Sequence, residues 1–180
     1  MSSFLLIVRQ LLQPRLRVRG FRVNREIGVG EYKLADVFAG LDGSTTLIKV
    51  FGTRSEMSKI LRHLKLRVEP TSWGLWLDRD TGTICIGQKH LSAAKLGFLY
   101  LDVIHVLVHV RQFLDGKELY DQAFEYVERP TELEAYRHTV AEARRIGMDE
   151  QDILKYLRLD AVDDFELGKL IERIGVRSRR

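Results

Sequence analysis

Between residues 16 and 51 apolar and polar positions recur with a period near two. Leu16-Arg17-Val18-Arg19 alternates strictly, as a half-buried strand does. Phe21–Ile27, Tyr32–Ala39 and Thr45–Phe51 follow, separated by Gly28-Val29-Gly30 and by Leu41-Asp42-Gly43-Ser44. Asp-Gly favours a tight hairpin because both central positions of a type I′ turn need positive φ. This stretch therefore predicts an antiparallel β meander. Ahead of it, Phe4-Leu5-Leu6-Ile7-Val8 with Leu11 and Leu12 reads as a helix that Pro14 ends. Beyond residue 52 the period changes. Ser55–Lys65 predicts a helix with Met57, Ile60, Leu61 and Leu64 on one face. Leu66–Val68, Gly74–Leu77 and Thr83–Ile86 predict strands, the last two joined by the turn Asp78-Arg79-Asp80-Thr81-Gly82. From Ser92 onward the pattern is helical. Leu96–Leu114 is the most apolar helix and is expected at the centre. Thr131–Ile146, ended by Gly147, then Asp149–Leu157 and Asp163–Ile174 complete the chain. The expected class is α+β in a single domain over residues 1–180. It comprises an N-terminal helix and β meander (1–52), a helix and small-sheet core (53–147) and a helical C-terminal tail (148–180).

Composition narrows the classes of function. A chain of 180 residues can bury about 70% of its unfolded surface, and 45% hydrophobic with 30% charged residues excludes wholesale disorder. The single cysteine, Cys85, excludes an internal disulfide and favours a reducing, cytoplasmic setting. It sits in the apolar run Thr83-Ile84-Cys85-Ile86, which predicts a buried, inert thiol. The apolar stretch Leu96–Val110 is interrupted by Asp102, His105 and His109, so no membrane span is expected. The first apolar run lacks the basic flank and small-residue cleavage site of a signal peptide. Abundant arginine with a single asparagine, Asn24, fits a heat-adapted (thermophile) protein. The net charge of +4 is mild but uneven. Residues 1–25 hold Arg9, Arg15, Arg17, Arg19, Arg22 and Arg25 with no acid, and the chain ends Arg177-Ser178-Arg179-Arg180. These ends serve either solubility or a nucleic-acid-binding arm.

The segment with most chemical content is Asp102-Val103-Ile104-His105-Val106-Leu107-Val108-His109-Val110. His105 and His109 are four residues apart, one helical turn, so both imidazoles can reach a single metal ion. Asp102 and Gln112 fall on the same stripe. On an otherwise apolar helix these polar groups need partners once buried, so a satisfied polar core accounts for the same residues.

Leu99 to Gln112 resembles the active-site helix of the zincin metallopeptidases, which carries His-Glu-x-x-His, and the resemblance spans about residues 55–147. It makes 53–147 a zincin-like core and implies zinc as cofactor, with His105 and His109 as the first two metal ligands. In the glutamate-ligand branch of the family an acid on the next helix is the third. Here Pro130-Thr131-Glu132-Leu133-Glu134-Ala135-Tyr136-Arg137 matches, with Glu134 as the third ligand and Glu132 the second choice. Thr131 and Glu134 also have the spacing of a capping box, which competes for the same carboxylate. The family's general-base glutamate is replaced by Val106, which cannot accept a proton. The resemblance therefore implies a degenerate zincin-like protein with no assigned catalytic residue and no peptidase activity. Its metal site would serve structure or the binding of a protein or peptide partner. A nucleic-acid-binding protein and a metal-dependent hydrolase with a displaced general base are the alternatives.

Other motifs carry less. Ile27–Ala39 with Lys49 resembles the Gly-rich hairpin and lysine of a protein-kinase small lobe, with Gly28 and Gly30 in place. The third glycine is missing, as are the His-Arg-Asp and Asp-Phe-Gly motifs. Trp73 and Trp76 fit strand packing or, if exposed, a stacking surface. His63, His90 and His138 have no ligand-like sequence neighbours.

Overall fold

The computed structural model describes residue 18, residues 20–160 and residues 163–176. The expected Phe4–Leu12 helix, most of the Leu16–Arg19 strand and the arginines at both extreme ends lie outside the described residues. The class is mixed α and β, with strands in the N-terminal part and helices in the C-terminal part.

The strands are β1 (Arg22–Val23), β2 (Gly30–Lys33), β3 (Phe38–Ala39), β4 (Lys65–Glu69), β5 (Leu75–Leu77) and β6 (Ile84–Gly87). The helices are α1 (Leu34–Val37), α2 (Thr45–Phe51), α3 (Arg54–His63), α4 (Gln88–Ala93), α5 (Leu96–Leu114), α6 (Pro130–Arg145), α7 (Glu150–Asp160) and α8 (Asp164–Ile174). β1 and β3 form an antiparallel ribbon, while the main sheet has the order β2–β4–β6–β5. In it β4 and β6 run parallel and the outer strands pair antiparallel, with Gly30 opposite Val68 and Leu75 opposite Ile86. The three strands predicted around the Asp78–Gly82 turn are present. All four residues of β6 are buried, Cys85 included, as expected of a central strand covered on both faces.

The meander is shorter than the pattern predicts. Thr45–Phe51 is a helix, and the expected strand Tyr32–Ala39 breaks into β2, α1 and β3. Two local causes act at 45–51. Ser44 is an N-cap whose Oγ accepts from the Leu47 amide, and Leu41–Gly43 forms a 3₁₀ turn in place of the I′ turn. Leu47 and Phe51, one turn apart, are then buried together. Tertiary burial overrides the β-branched composition. Lys49 thus lies on a helix, and the kinase-like hairpin is not formed.

Leu96–Leu114 is the central helix, as predicted. It packs most extensively on α6 and also meets β5 and α2. By length and composition it could cross a membrane, but it is buried within the fold, with twelve positions shielded around its circumference. The α5–α6 contact includes a charged group with no solvent access. Glu142 of α6 accepts from Thr46 Oγ1 at 2.7 Å, from Ser44 Oγ at 3.3 Å and from the Tyr100 hydroxyl, and takes both guanidinium contacts of Arg145 at 2.7 Å. Burial alone would raise the Glu142 pKa, but these donors hold it below the usual carboxylate range. Burial first, and then the Glu142 carboxylate, push Tyr100 up to about 12.

A carboxyl with a depressed folded-state pKa contributes stability above its unfolded pKa and loses it as pH falls through the folded value. Glu142→Gln is expected to lower unfolding stability by about 2–3 kcal/mol at neutral pH, since it uncouples a buried charge from its partners. Urea denaturation across a pH series checks this. The wild type should lose stability on acidification more steeply than the variant, and identical acid limbs would contradict the assignment.

Candidate metal centre

The polar stripe of α5 meets its partner on α6. His105 Nε2 lies 3.2 Å from Glu132 Oε2, His109 Nε2 lies 3.4 Å from the same oxygen, and the two Nε2 atoms are 3.0 Å apart. These three residues are a group that could hold a metal ion, its three ligand atoms clustered together. Four-coordinate zinc with bonds of 2.0–2.2 Å places its ligand atoms about 3.3 Å apart. The observed triangle has nearly that edge.

Glu134, the expected third ligand, is outside the cluster. Its Oε2 accepts from Lys117 Nζ at 2.7 Å and from Gln112 Nε2 at 2.8 Å. The capping box is not formed either. Pro130 occupies the first helical turn with Arg129 as the N-cap, and Thr131 Oγ1 donates to the Leu119 carbonyl. A proline there has φ already set for a helix and no N–H to satisfy, so the helix starts ahead of Thr131. Helical geometry then separates the two acids. Glu132 heads the stripe Ala135, Tyr136, Thr139, Val140 and Ala143, all buried. Glu134 lies about 200° away around the axis. That stripe is visible in the sequence and is the signal that selects Glu132.

The network behind His109 fixes its proton. Gln112 Nε2 contacts two oxygens, Thr131 O at 2.9 Å and Glu134 Oε2 at 2.8 Å, so this end of the amide is the donor. Gln112 Oε1 therefore faces His109, and His109 Nδ1–H donates to it at 2.7 Å. A neutral His109 then presents the Nε2 lone pair to the cluster, the tautomer a metal needs. Glu134 thus acts two bonds back, orienting the amide that orients His109. His105 has no such support: its Nδ1 is buried without a hydrogen-bond partner, and its ring lies 4.5 Å from that of Tyr136. Burial disfavours the Glu132 carboxylate, yet hydrogen bonds from His105 and His109 outweigh it and hold the group far below its ordinary range. For His109 burial opposes the charge, and Glu132 and Gln112 overcome it, so its pKa is raised. The two pKa directions describe one preference, a negative carboxylate beside positive charge. A bound cation would supply that charge.

The cluster opens onto a cavity of about 280 Å³. Val106 forms part of its wall, at the position where the zincin pattern has its glutamate. Trp76, Tyr120 and Tyr126 make much of the remainder, with Leu75 and Leu77 of β5. Trp73 stands at the rim, 71% exposed and edge-on to Trp76 at 6.1 Å. Gly87 permits this arrangement: a Cβ there would lie 2.3 Å from the Trp73 carbonyl. His90, which has no ligand-like neighbours in sequence, also lines the cavity, with its Nε2 2.8 Å from Asp102 Oδ2. His63 bonds locally to the Lys59 carbonyl. No protein-family model matches the chain, and neither the curated proteins nor the solved structures contain a match to it.

For a metal ion held by the cluster, Gln112→Ala is expected to weaken affinity by about 10–100-fold, the usual effect of removing a group that orients a ligand. Competition against a chromogenic chelator measures it. Unchanged affinity would show that the Gln112 bond does not set the His109 tautomer.

Proposed function

We propose that this chain is a zincin-like metal-binding protein that has lost peptidase chemistry. Its centre is His105, His109 and Glu132, and its ion is zinc. The observation that carries this reading is the triangle of two imidazole nitrogens and one carboxylate oxygen, with edges of 3.0, 3.2 and 3.4 Å, at the wall of a cavity. Two nitrogens and one oxygen suit zinc, and three protein ligands facing a cavity leave a fourth position for an outside molecule. That openness favours a binding role over a purely structural one.

Two features support the loss of peptidase activity. Val106 offers no proton acceptor where the resembling family has one. The outer edge of β5 is also partly blocked. Gly87 N donates to Gly74 O and Asp78 N to Thr83 O, so the alternate residues Leu75 and Leu77 turn their backbone groups away from β6. Tyr120 donates its hydroxyl to Leu77 O at 2.5 Å, occupying a carbonyl that an added peptide strand would use. We place the protein in the cytoplasm on the strength of its single, buried cysteine. Of the arginines behind the nucleic-acid reading, Arg25 is engaged within the fold. Arg25 donates to the carbonyls of Leu91, Ser92 and Ala94, closing the C-terminal end of α4.

Elemental analysis after zinc loading and desalting tests the proposal. The wild type should retain about one zinc per chain. His109→Ala and Glu132→Gln should lose it, with affinity lowered more than about 100-fold, beyond the usual effect of an orienting group. Glu134→Gln should retain zinc. No zinc in the wild type, or loss with Glu134→Gln but not with Glu132→Gln, would contradict the assignment.

A further inference from the structure

We propose that His90 and Asp102 are the proton-transfer pair of this centre, displaced from the position that Val106 fills. The inference rests on the metal-binding reading above and makes the site a hydrolytic one for small acyl esters with an apolar body.

The geometry has three parts. His90 and Asp102 line the same cavity as His105, His109 and Glu132. Asp102 precedes His105 by three residues on α5, one turn away and about 4.5 Å along the axis, so it shares the cavity-facing stripe. His90 comes from α4, whose C-terminal end is held by the three bonds from Arg25.

The second part is orientation. His90 Nε2–H donates to Asp102 Oδ2 at 2.8 Å, with both side chains partly buried. Among the described residues Nδ1 takes no protein partner. A histidine with one nitrogen anchored by a carboxylate and the other open has a fixed tautomer and a defined basic atom. Asp102 is the positioning residue and His90 the group that meets the substrate.

The third part is the cavity itself. One pole is polar, and the walls contributed by Trp76, Leu75 and Leu77 are apolar. This suits an acyl compound whose reacting carbonyl lies at the metal pole and whose body lies against those walls. His90 Nδ1 accepts a proton from water as the water oxygen bonds to the acyl carbon. The bond from carbon to the alcohol oxygen then breaks, its electron pair leaves with that oxygen, and His90 returns the proton to it. Ester and water become acid and alcohol, and His90 ends as it began. Such positioned proton transfer contributes about 10²–10⁴-fold.

The test uses the full-length zinc-loaded protein, with p-nitrophenyl acetate as the probe and zinc stoichiometry read on the same samples. His90→Ala and Asp102→Asn should keep one zinc per chain while turnover falls at least about 100-fold. Added imidazole should restore part of the turnover of His90→Ala and none of that of His109→Ala. Nitrogen NMR of the imidazoles should show His90 protonated on Nε2 in the wild type and redistributed between its nitrogens in Asp102→Asn. Zinc retained with turnover within about twofold of wild type overturns the proposal and leaves the metal site standing. Zinc-loaded wild type without turnover, or zinc lost from His90→Ala, also overturns it. Wild type that binds no zinc overturns the metal reading and this inference together.

Discussion

A helix that is buried around most of its circumference cannot leave polar side chains unpartnered, and α5 carries four of them on one stripe. The contact that resolves this constraint is Glu132 of α6 against His105 and His109. Two imidazoles away from water need hydrogen-bond partners, and one buried carboxylate needs donors. Each makes the other tolerable, and together they set how α6 lies on α5. The bonds from Gln112 to Thr131 and Glu134, and from Thr131 to Leu119, fix the same register at the helix start. Farther along the pair, Glu142 repeats the solution with Arg145, Tyr100 and the cap of α2.

This arrangement links stability to ligand. A cation that binds only the folded state stabilises it by mass action, and the site exists only when α5 and α6 are packed in this register. The cluster is held together by a carboxylate shared between two histidines, with His105 Nδ1 left unpartnered. Replacing Val106 by a carboxylate would add a third acid to the cavity wall, beside Glu132 and Asp102. The chain instead keeps that wall apolar at 106 and places its other carboxylate, Asp102, one turn earlier, against His90.

The long-period parts of this architecture are legible in the sequence. Leu96–Leu114 announces itself by apolar content, and the strands around Asp78–Gly82 by alternation bounded by turn residues. Thr45–Phe51 is not, because seven residues, four of them β-branched, fit either period and the decision lies with the Ser44 cap and with burial. The i, i+4 spacing of His105 and His109 makes them candidates, and a satisfied polar core fits the same spacing. The choice between Glu132 and Glu134 needed the buried stripe of α6, since the motif resemblance favours Glu134 as ligand while the capping pattern claims the same carboxylate for the helix start. The pairing of His90 with Asp102 joins separate helices through a tertiary contact, which no local pattern encodes. Arg25 looks like part of a basic arm, and only the fold shows it closing α4.

On the proposed reading, two imidazoles from α5 and one carboxylate from α6 share a single ion. X-ray absorption spectroscopy of the zinc-loaded protein tests it most directly. About four nitrogen and oxygen neighbours at 2.0–2.2 Å are expected, with the outer-shell scattering of two imidazoles and no sulfur. A shell without imidazole scattering, or one that includes the sulfur of Cys85, would contradict it.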